Sequence, residues 1–237
     1  MSFARSLDVT TAMAASAVRP NFGNVHYERN RVPERSLELY EFEGCPFCRI
    51  AREALSALSL DPIVYPCPTG GTLFREKVKQ EGGRYLFPYL VDPNNAVSMY
   101  ESADIVAYLF KEYGEGPPPW FLRQRAFAVS TSMLASGFRA HRGRRAVRAR
   151  RPEKLLELYA YEGSPYCRIA REALCELELP YHLHNVPRAS PDREAFVSIS
   201  GRMRVPYLVD PNTGTQMFES ADIRRYLYET YAVDGAS

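Results

Sequence analysis

Apolar and polar residues alternate along Leu37-Glu-Leu-Tyr-Glu-Phe42, the two-residue period of a strand with one buried face. Gly44-Cys45-Pro46 breaks the alternation, and Ile50, Ala51, Ala54, Leu55 and Leu58 then recur at helical spacing. Asp61-Pro62 stops that helix, and Ile63-Val64-Tyr65 predicts a second strand. Strand, helix and strand in this order make a βαβ unit, with a right-handed crossover and parallel strands. A variable loop leads into a helix from Leu73 to Glu81. Tyr89–Asp92 predicts a strand, Pro93-Asn94-Asn95 a turn, and Ser98–Tyr100 the antiparallel return. A last helix runs through Tyr113, with Ser102 as its expected cap and Asp104 favourable in its first turn.

The same pattern is written a second time about 119 residues on. LELYEFEGCPFCRIAREALSALSL from Leu37 returns as LELYAYEGSPYCRIAREALCELEL from Leu156, with about 70% of positions identical. PYLVDPNNAVSMYESADIVAYL from Pro88 returns as PYLVDPNTGTQMFESADIRRYL from Pro206. A repeat of this length predicts two copies of one α/β domain in tandem. Each copy is βαβ-α-ββα around a four-stranded mixed sheet. The expected organisation is an N-terminal arm with a short helix (1–36), a first domain (37–114), a linker with a helix and a basic stretch (115–154), and a second domain (155–237). The segments Met13–Arg19 and Met133–Arg139 share small residues and a terminal Arg. They are expected as short helices in equivalent places, lying against each other or against the opposite domain. Mobile tethers are the alternative.

Composition narrows the setting. A formal net charge of +2 gives no global case for a nucleic-acid partner. The basic run from Arg139 to Arg151 reads as a solvated linker, or else as a patch for anionic partners. No apolar run reaches the roughly 18 residues of a membrane helix, so no membrane span is expected. The N-terminus lacks the shape of a secretion signal. A cytoplasmic protein is expected, with an organelle stroma or matrix as the alternative because the first residues are rich in Ala, Ser and Arg. Five cysteines, an odd number, argue against a disulfide framework. Cys45 and Cys48 form a Cys-x-x-Cys pair, redox-active or metal-binding in a reducing compartment. No second such pair exists to complete a zinc site, and none is expected. A cluster shared between two chains is a minor alternative.

A strand, then Cys-Pro-Phe-Cys, then a helix resembles glutaredoxin. The Pro-Tyr-Leu strand and the later Glu-Ser-Ala-Asp-Ile are similar to the glutathione-binding N-terminal domain of glutathione transferases. The resemblance covers nearly all of Leu37–Tyr113 and Leu156–Tyr231 and implies two thioredoxin-like domains with glutathione as ligand. Cys45, at a helix N-terminus with Arg49 nearby, is the expected nucleophile. Such surroundings lower a thiol pKa into the range of roughly 3.5 to 7.5. Cys48 is placed to resolve a mixed disulfide. In the second copy Ser164 replaces Cys45 while Cys167 matches Cys48, which excludes a dithiol mechanism there. Ser164 resembles the serine that supports the glutathione thiolate in several transferase classes; a degenerate domain kept for packing is the alternative.

The resemblance also makes Pro88 and Pro206 cis-prolines. Their preceding residues, Phe87 and Val205, would pair with the cysteinyl amide of glutathione. Glu101-Ser102 and Glu219-Ser220 would hold its γ-glutamyl end. Cys67, after the second strand, comes either near Cys45 or into the core, and Cys175 into the core. Trp120 and Phe121 are expected to fix the linker to a domain, and Tyr40 and Tyr159 to be core.

Three functions follow as expectations. The first is a glutathione-dependent oxidoreductase acting through Cys45 and Cys48 on disulfide or glutathionylated substrates. The second is a transferase using Ser164, weakened because nothing after either repeat supplies the all-helical domain such enzymes add. The third is a non-catalytic module that binds glutathione or a protein thiol. The sequence does not specify an oligomeric state.

Overall fold

Each repeat folds in the element order its pattern predicts. The computed structural model describes residues 3–20, 22–139 and 142–233. The first half contains β1 (Glu38–Glu41), α2 (Pro46–Ala57), β2 (Ile63–Pro66), α3 (Arg75–Gly82), β3 (Tyr89–Asp92), β4 (Val97–Met99) and α4 (Ser102–Tyr113), preceded by α1 (Phe3–Ala17). The connection holds α5 (Trp120–Arg123) and α6 (Arg125–Gly137). The second half contains β5 (Leu156–Ala160), α7 (Pro165–Glu176), β6 (Tyr181–Asn185), α8 (Arg193–Ser200), β7 (Tyr207–Asp210), β8 (Thr215–Phe218) and α9 (Ser220–Tyr231). In each half the first strand is central, parallel to the second and antiparallel to the third, and the third pairs antiparallel with the fourth.

The strand alternation sorts side chains to two faces. Leu37, Leu39 and Leu90 pack with α2 and α4, whereas Tyr40 and Tyr89 join Cys45, Cys48, Cys67 and Val78 on the other face. Tyr40 and Tyr159 are both buried, as expected. Phe121 stacks on Phe22 at 4.1 Å between ring centroids. Trp120 departs from expectation: it is 58% exposed, with ring contacts to Phe121 and Phe127.

The two four-stranded sheets are not separate. β2 pairs antiparallel with β6, Ile63 opposite His182 and Val64 opposite Tyr181, which gives one eight-stranded sheet in the order β4-β3-β1-β2-β6-β5-β7-β8. The reason lies in the edges. β2 and β6 are equivalent strands, and each would otherwise present unpaired N–H and C=O groups to solvent. Joined about a pseudo-twofold axis, they satisfy each other.

The helices before each first strand exist, and they are longer than Met13–Arg19 and Met133–Arg139: Arg19 and Arg139 lie just beyond their ends. They cross over. α1 packs on α7 of the second half, and α6 packs on α2 of the first. Buried small residues (Ala12 and Ala15; Ala128, Ser132 and Ala135) allow the close approach. The arginines fasten these helices. Arg19 Nε donates to Glu53 of α2 at 2.7 Å, and its Nη1 donates to the Ala128 carbonyl of α6 at 2.9 Å. Arg139 repeats this with Glu172 of α7 at 2.8 Å and the Asp8 carbonyl of α1 at 2.9 Å. The basic stretch is therefore not uniformly solvated, because its first arginine is buried in an ion pair.

Charged side chains also fill the seam between halves. Arg52 of α2 reaches Glu162 of the second half at 2.9 Å, and Arg171 of α7 reaches Glu43 of the first at 3.0 Å. Arg52 also pairs with Glu41, and Arg171 with Glu162 at 2.8 Å. All five groups are at most 3% exposed. Burial alone would raise the Glu43 carboxyl, but Arg171 and Arg52 hold it below the ordinary range. Burial pushes Glu41 up to about 7, against the pull of Arg52.

Two expected outcomes follow. Arg19→Met leaves the Glu53 carboxylate buried without its partner and should cost about 3–5 kcal/mol in urea unfolding, most of it recovered in Arg19→Met/Glu53→Leu. Asp92, at the β3–β4 turn, has an acid signature. Burial would raise its carboxyl, yet hydrogen bonds from Tyr108, Tyr113 and Asn94 bring it down to about 2. An unfolded Asp titrates near about 3.9. The stabilisation from Asp92 is therefore complete above about pH 4 and is lost as pH falls toward 2. Urea unfolding between those values should show a shallower pH slope for Asp92→Asn.

Candidate functional site

Cys45 is the N-cap of α2, with extended backbone and Pro46 in the first helical position. Its Sγ accepts the Cys48 N–H at 3.3 Å and lies 3.9 Å from the Phe87 carbonyl oxygen. The Phe87-Pro88 bond is cis. Cys45 is 4% exposed and Cys48 fully buried. The Cys48 thiol does most to draw the Cys45 thiol down by hydrogen-bonding to it; the N–H groups of Cys48 and Phe47 help, while burial and Glu41 oppose. Burial and the neighbouring Cys45 push Cys48 well up. The two thiols of the pair are thus shifted in opposite directions, Cys45 down and Cys48 up. Arg49, expected beside Cys45, lies buried among Glu162, Glu53 and Glu43.

Cys67 packs in the same buried cluster as Cys45 and Cys48, and burial pushes its thiol up. Cys175 is buried, but its surroundings are not plain core. Its sulfur accepts the Glu43 N–H at 3.3 Å and donates to the Gly143 carbonyl at 3.4 Å, so it stitches the seam where the first half has Ser56.

The second half repeats the geometry with a serine hydroxyl in place of the Cys45 sulfur. Ser164 caps α7, its Oγ accepts the Cys167 N–H at 3.3 Å, and it is 3% exposed. Burial raises the Cys167 thiol. The Val205-Pro206 bond is cis. Val205, Pro206, Glu219 and Ser220 line one cleft of about 650 Å³ with Tyr166 and Arg204, so four of the residues singled out in the sequence meet there.

The entry to the last helix of each half corrects one expectation. Ser102 is the first helical residue; the cap position is Glu101, whose φ of 67° lies in the left-handed region and whose side chain caps nothing. Glu219 does the same at 68° before Ser220. Such backbone costs about 1–3 kcal/mol where a non-glycine residue adopts it, and it concentrates at ligand clamps. Each Glu also has an arginine partner. Arg204 reaches Glu219 at 2.6 Å, and Arg125 of α6 reaches Glu101 at 3.5 Å.

Sequence reasoning missed Arg204, and missed that Ser6, Val9 and Thr10 of α1 form a wall of the second-half cleft. Aligning the repeats could have exposed Arg204, because Leu86 holds its place in the first half. The α1 wall has no local signal, since it depends on the helix crossing to the other half. Among the described residues, no three His, Cys, Asp or Glu side chains are disposed to hold a metal ion, and no helix is long and apolar enough to cross a membrane.

Two βαβ-α-ββα units, each with a cis-proline facing a capped helix N-terminus, define a tandem thioredoxin-like protein. The model of the glutathione S-transferase N-terminal domain matches the chain twice, over residues 39–118 and 158–235, and the chain belongs to that family. It is similar to the glutathione S-transferase-like protein OpS6 of Beauveria bassiana, with 32% identity over 80 residues, covering 34% of this chain and 37% of that protein. It is also similar to the glutathione S-transferase-like protein tpcF of Aspergillus fumigatus, with 36% identity over 61 residues, covering 26% of this chain and 27% of that one. The chain thus spans well under half the length of either relative. A solved structure, Leishmania TDR1, titled a unique trimeric glutathione transferase, aligns over 85% of this chain and 68% of its own at 17% identity, with a TM-score of 0.31.

Cys45 should be the first thiol labelled by limiting iodoacetamide at neutral pH, since Cys48, Cys67, Cys167 and Cys175 are all buried with thiols pushed up. Peptide mass mapping that finds Cys67 or Cys175 modified first would contradict this.

Proposed function

We propose that the protein is a glutathione-dependent thiol–disulfide oxidoreductase whose chemistry lies at Cys45, with a second glutathione site in the half that carries Ser164. The observation that carries this reading is the Cys45 sulfur itself, held at a helix N-terminus by the Cys48 N–H and drawn below the ordinary thiol range. A thiolate is the attacking species in disulfide exchange.

The steps balance as follows. The Cys45 thiolate attacks the glutathione sulfur of a mixed disulfide, forms a Cys45–glutathione disulfide and expels the substrate thiolate, which takes a proton from water. A second glutathione thiolate then attacks the glutathionyl sulfur, releasing oxidised glutathione and regenerating the Cys45 thiolate. Cys48 can attack Cys45 instead, releasing glutathione and leaving a Cys45–Cys48 disulfide. Its burial and raised thiol favour the first route. The residues present fit glutathione. Its γ-glutamyl end carries an ammonium and a carboxylate, and Glu219 with Arg204 and Ser220 offers groups of opposite sign beside the Val205 backbone.

A transferase reading centred on Ser164 would use the cleft of about 650 Å³ walled by α1, which Tyr166 of the same helix start lines although Ser164 does not. Non-catalytic binding would use the same cleft.

Reduction of the mixed disulfide of glutathione with a small thiol tests the proposal. Cys45→Ser should lose at least about a hundredfold in rate, on the scale expected when a nucleophile is removed. Cys48→Ser should keep a third or more of it. Equal rates for wild type and Cys45→Ser would refute the oxidoreductase reading. Turnover of a generic electrophile that survives Cys45→Ser and fails in Ser164→Ala would favour the transferase.

A further inference from the structure

Helix α6 reaches the catalytic turn of the first half from outside its repeat. Ser132 of α6 is fully buried, and its hydroxyl donates to the Pro46 carbonyl at 2.7 Å. Pro46 lies between Cys45 and the helix it caps. Its carbonyl lies in the first turn of α2, the turn whose Cys48 N–H donates to the Cys45 sulfur at 3.3 Å. The contact ties the first turn of α2 to a packed helix, so the Cys48 N–H keeps its aim.

The second half supplies an internal comparison. The residue equivalent to Ser132 is Ala12 of α1, which is buried and has no hydroxyl to offer the Pro165 carbonyl. That half also carries Ser164 where the first has Cys45. The hydroxyl is present in the half with the nucleophilic sulfur and missing from the half without it, although the two helices dock alike. A role in packing alone would call for small residues at both positions and would not distinguish Ser from Ala.

We propose that Ser132 is a positioning residue for Cys45: by binding the Pro46 carbonyl it holds the first turn of α2 so that the Cys48 N–H stays directed at the sulfur. This rests on the reading of Cys45 as the nucleophile. It makes α6, which lies between the repeats, part of the machinery of the first half. Glu41 works against the Cys45 thiolate, so the donors around the sulfur carry more of the task.

The test is the pH dependence of iodoacetamide labelling at Cys45 in the full-length chain, read by peptide mass spectrometry. Wild type should show a midpoint below that of an ordinary thiol. Ser132→Ala should raise the midpoint by about half a unit, leaving roughly threefold less thiolate at pH values below it. Ser132→Cys keeps the size with a weaker donor and should fall between the two. The thermal midpoint of each variant is measured alongside, and Ser132→Cys carries the comparison if Ser132→Ala does not fold. Identical labelling midpoints for wild type and either folded variant would overturn the assignment while leaving Cys45 as nucleophile. An ordinary midpoint for wild-type Cys45 would overturn both.

Discussion

The structure depends on an exchange of arginines across its pseudo-twofold axis. Arg52 of the first half reaches Glu162 of the second, and Arg171 of the second reaches Glu43 of the first. Buried charges carry a desolvation penalty of several kcal/mol each, so pairs like these are weak evidence for net stability. What they do is specify the arrangement. Each guanidinium also bonds a backbone carbonyl, Glu43 for Arg52 and Tyr161 for Arg171. Any other docking of the halves would leave these groups buried and unpaired. The outer pairs, Arg19 with Glu53 and Arg139 with Glu172, extend the same rule to the crossed helices.

One stretch of sequence thus serves two surfaces. In Glu-Gly-x-Pro-x-Cys-Arg-x-x-Arg-Glu the capping residue faces the ligand side of the sheet, while the acids and arginines face the other half. The two tasks are compatible because helical periodicity sends them to different sides of α2 and α7. The site and the seam are therefore coupled: the helix that presents Cys45 is clamped by groups from the second half and by α6. Neither half is structurally self-sufficient, since the second-half cleft borrows a wall from α1 and the first-half turn leans on α6.

Against this symmetry, the differences between the halves stand out. Cys45 faces Ser164, Glu41 faces Ala160, Leu86 faces Arg204, and Ser132 faces Ala12. These pairs bear on the Cys45 position or on the second-half cleft. Glu41 also adds a carboxylate to a seam already rich in acids, and burial takes it up to about 7. Ser56 and Cys175, by contrast, differ in chemistry and keep the same task, each bridging the seam by hydrogen bonds. The repeat has diverged around the Cys45 position and the second-half cleft, while the arginines and glutamates that join Arg52 to Glu162 and Arg171 to Glu43 are kept in both halves.

Much of the architecture was legible locally. Strand alternation, the Cys-Pro and Ser-Pro helix starts and the Asp-Pro-Asn turns act within a few residues, and the elements follow them closely. The meeting of Val205, Pro206, Glu219 and Ser220 in one cleft was readable through the family resemblance. Other features were not. Arg49 looked available to Cys45 from spacing alone, yet carboxylates from both halves claim it. Ser102 looked like a cap, and the left-handed turn at Glu101 moved it into the helix. Sequence by itself determined the order of elements, the twofold repeat and the capped helix ends, because short-range sterics and periodicity decide these. Only the tertiary structure decided that the two sheets fuse through β2 and β6, that α1 and α6 change sides, and that Arg139 leaves the solvent. Those outcomes come from satisfying edge strands and buried charges, and the partners that satisfy them lie more than a hundred residues away along the chain in β2–β6 and in the Arg52–Glu162 pair.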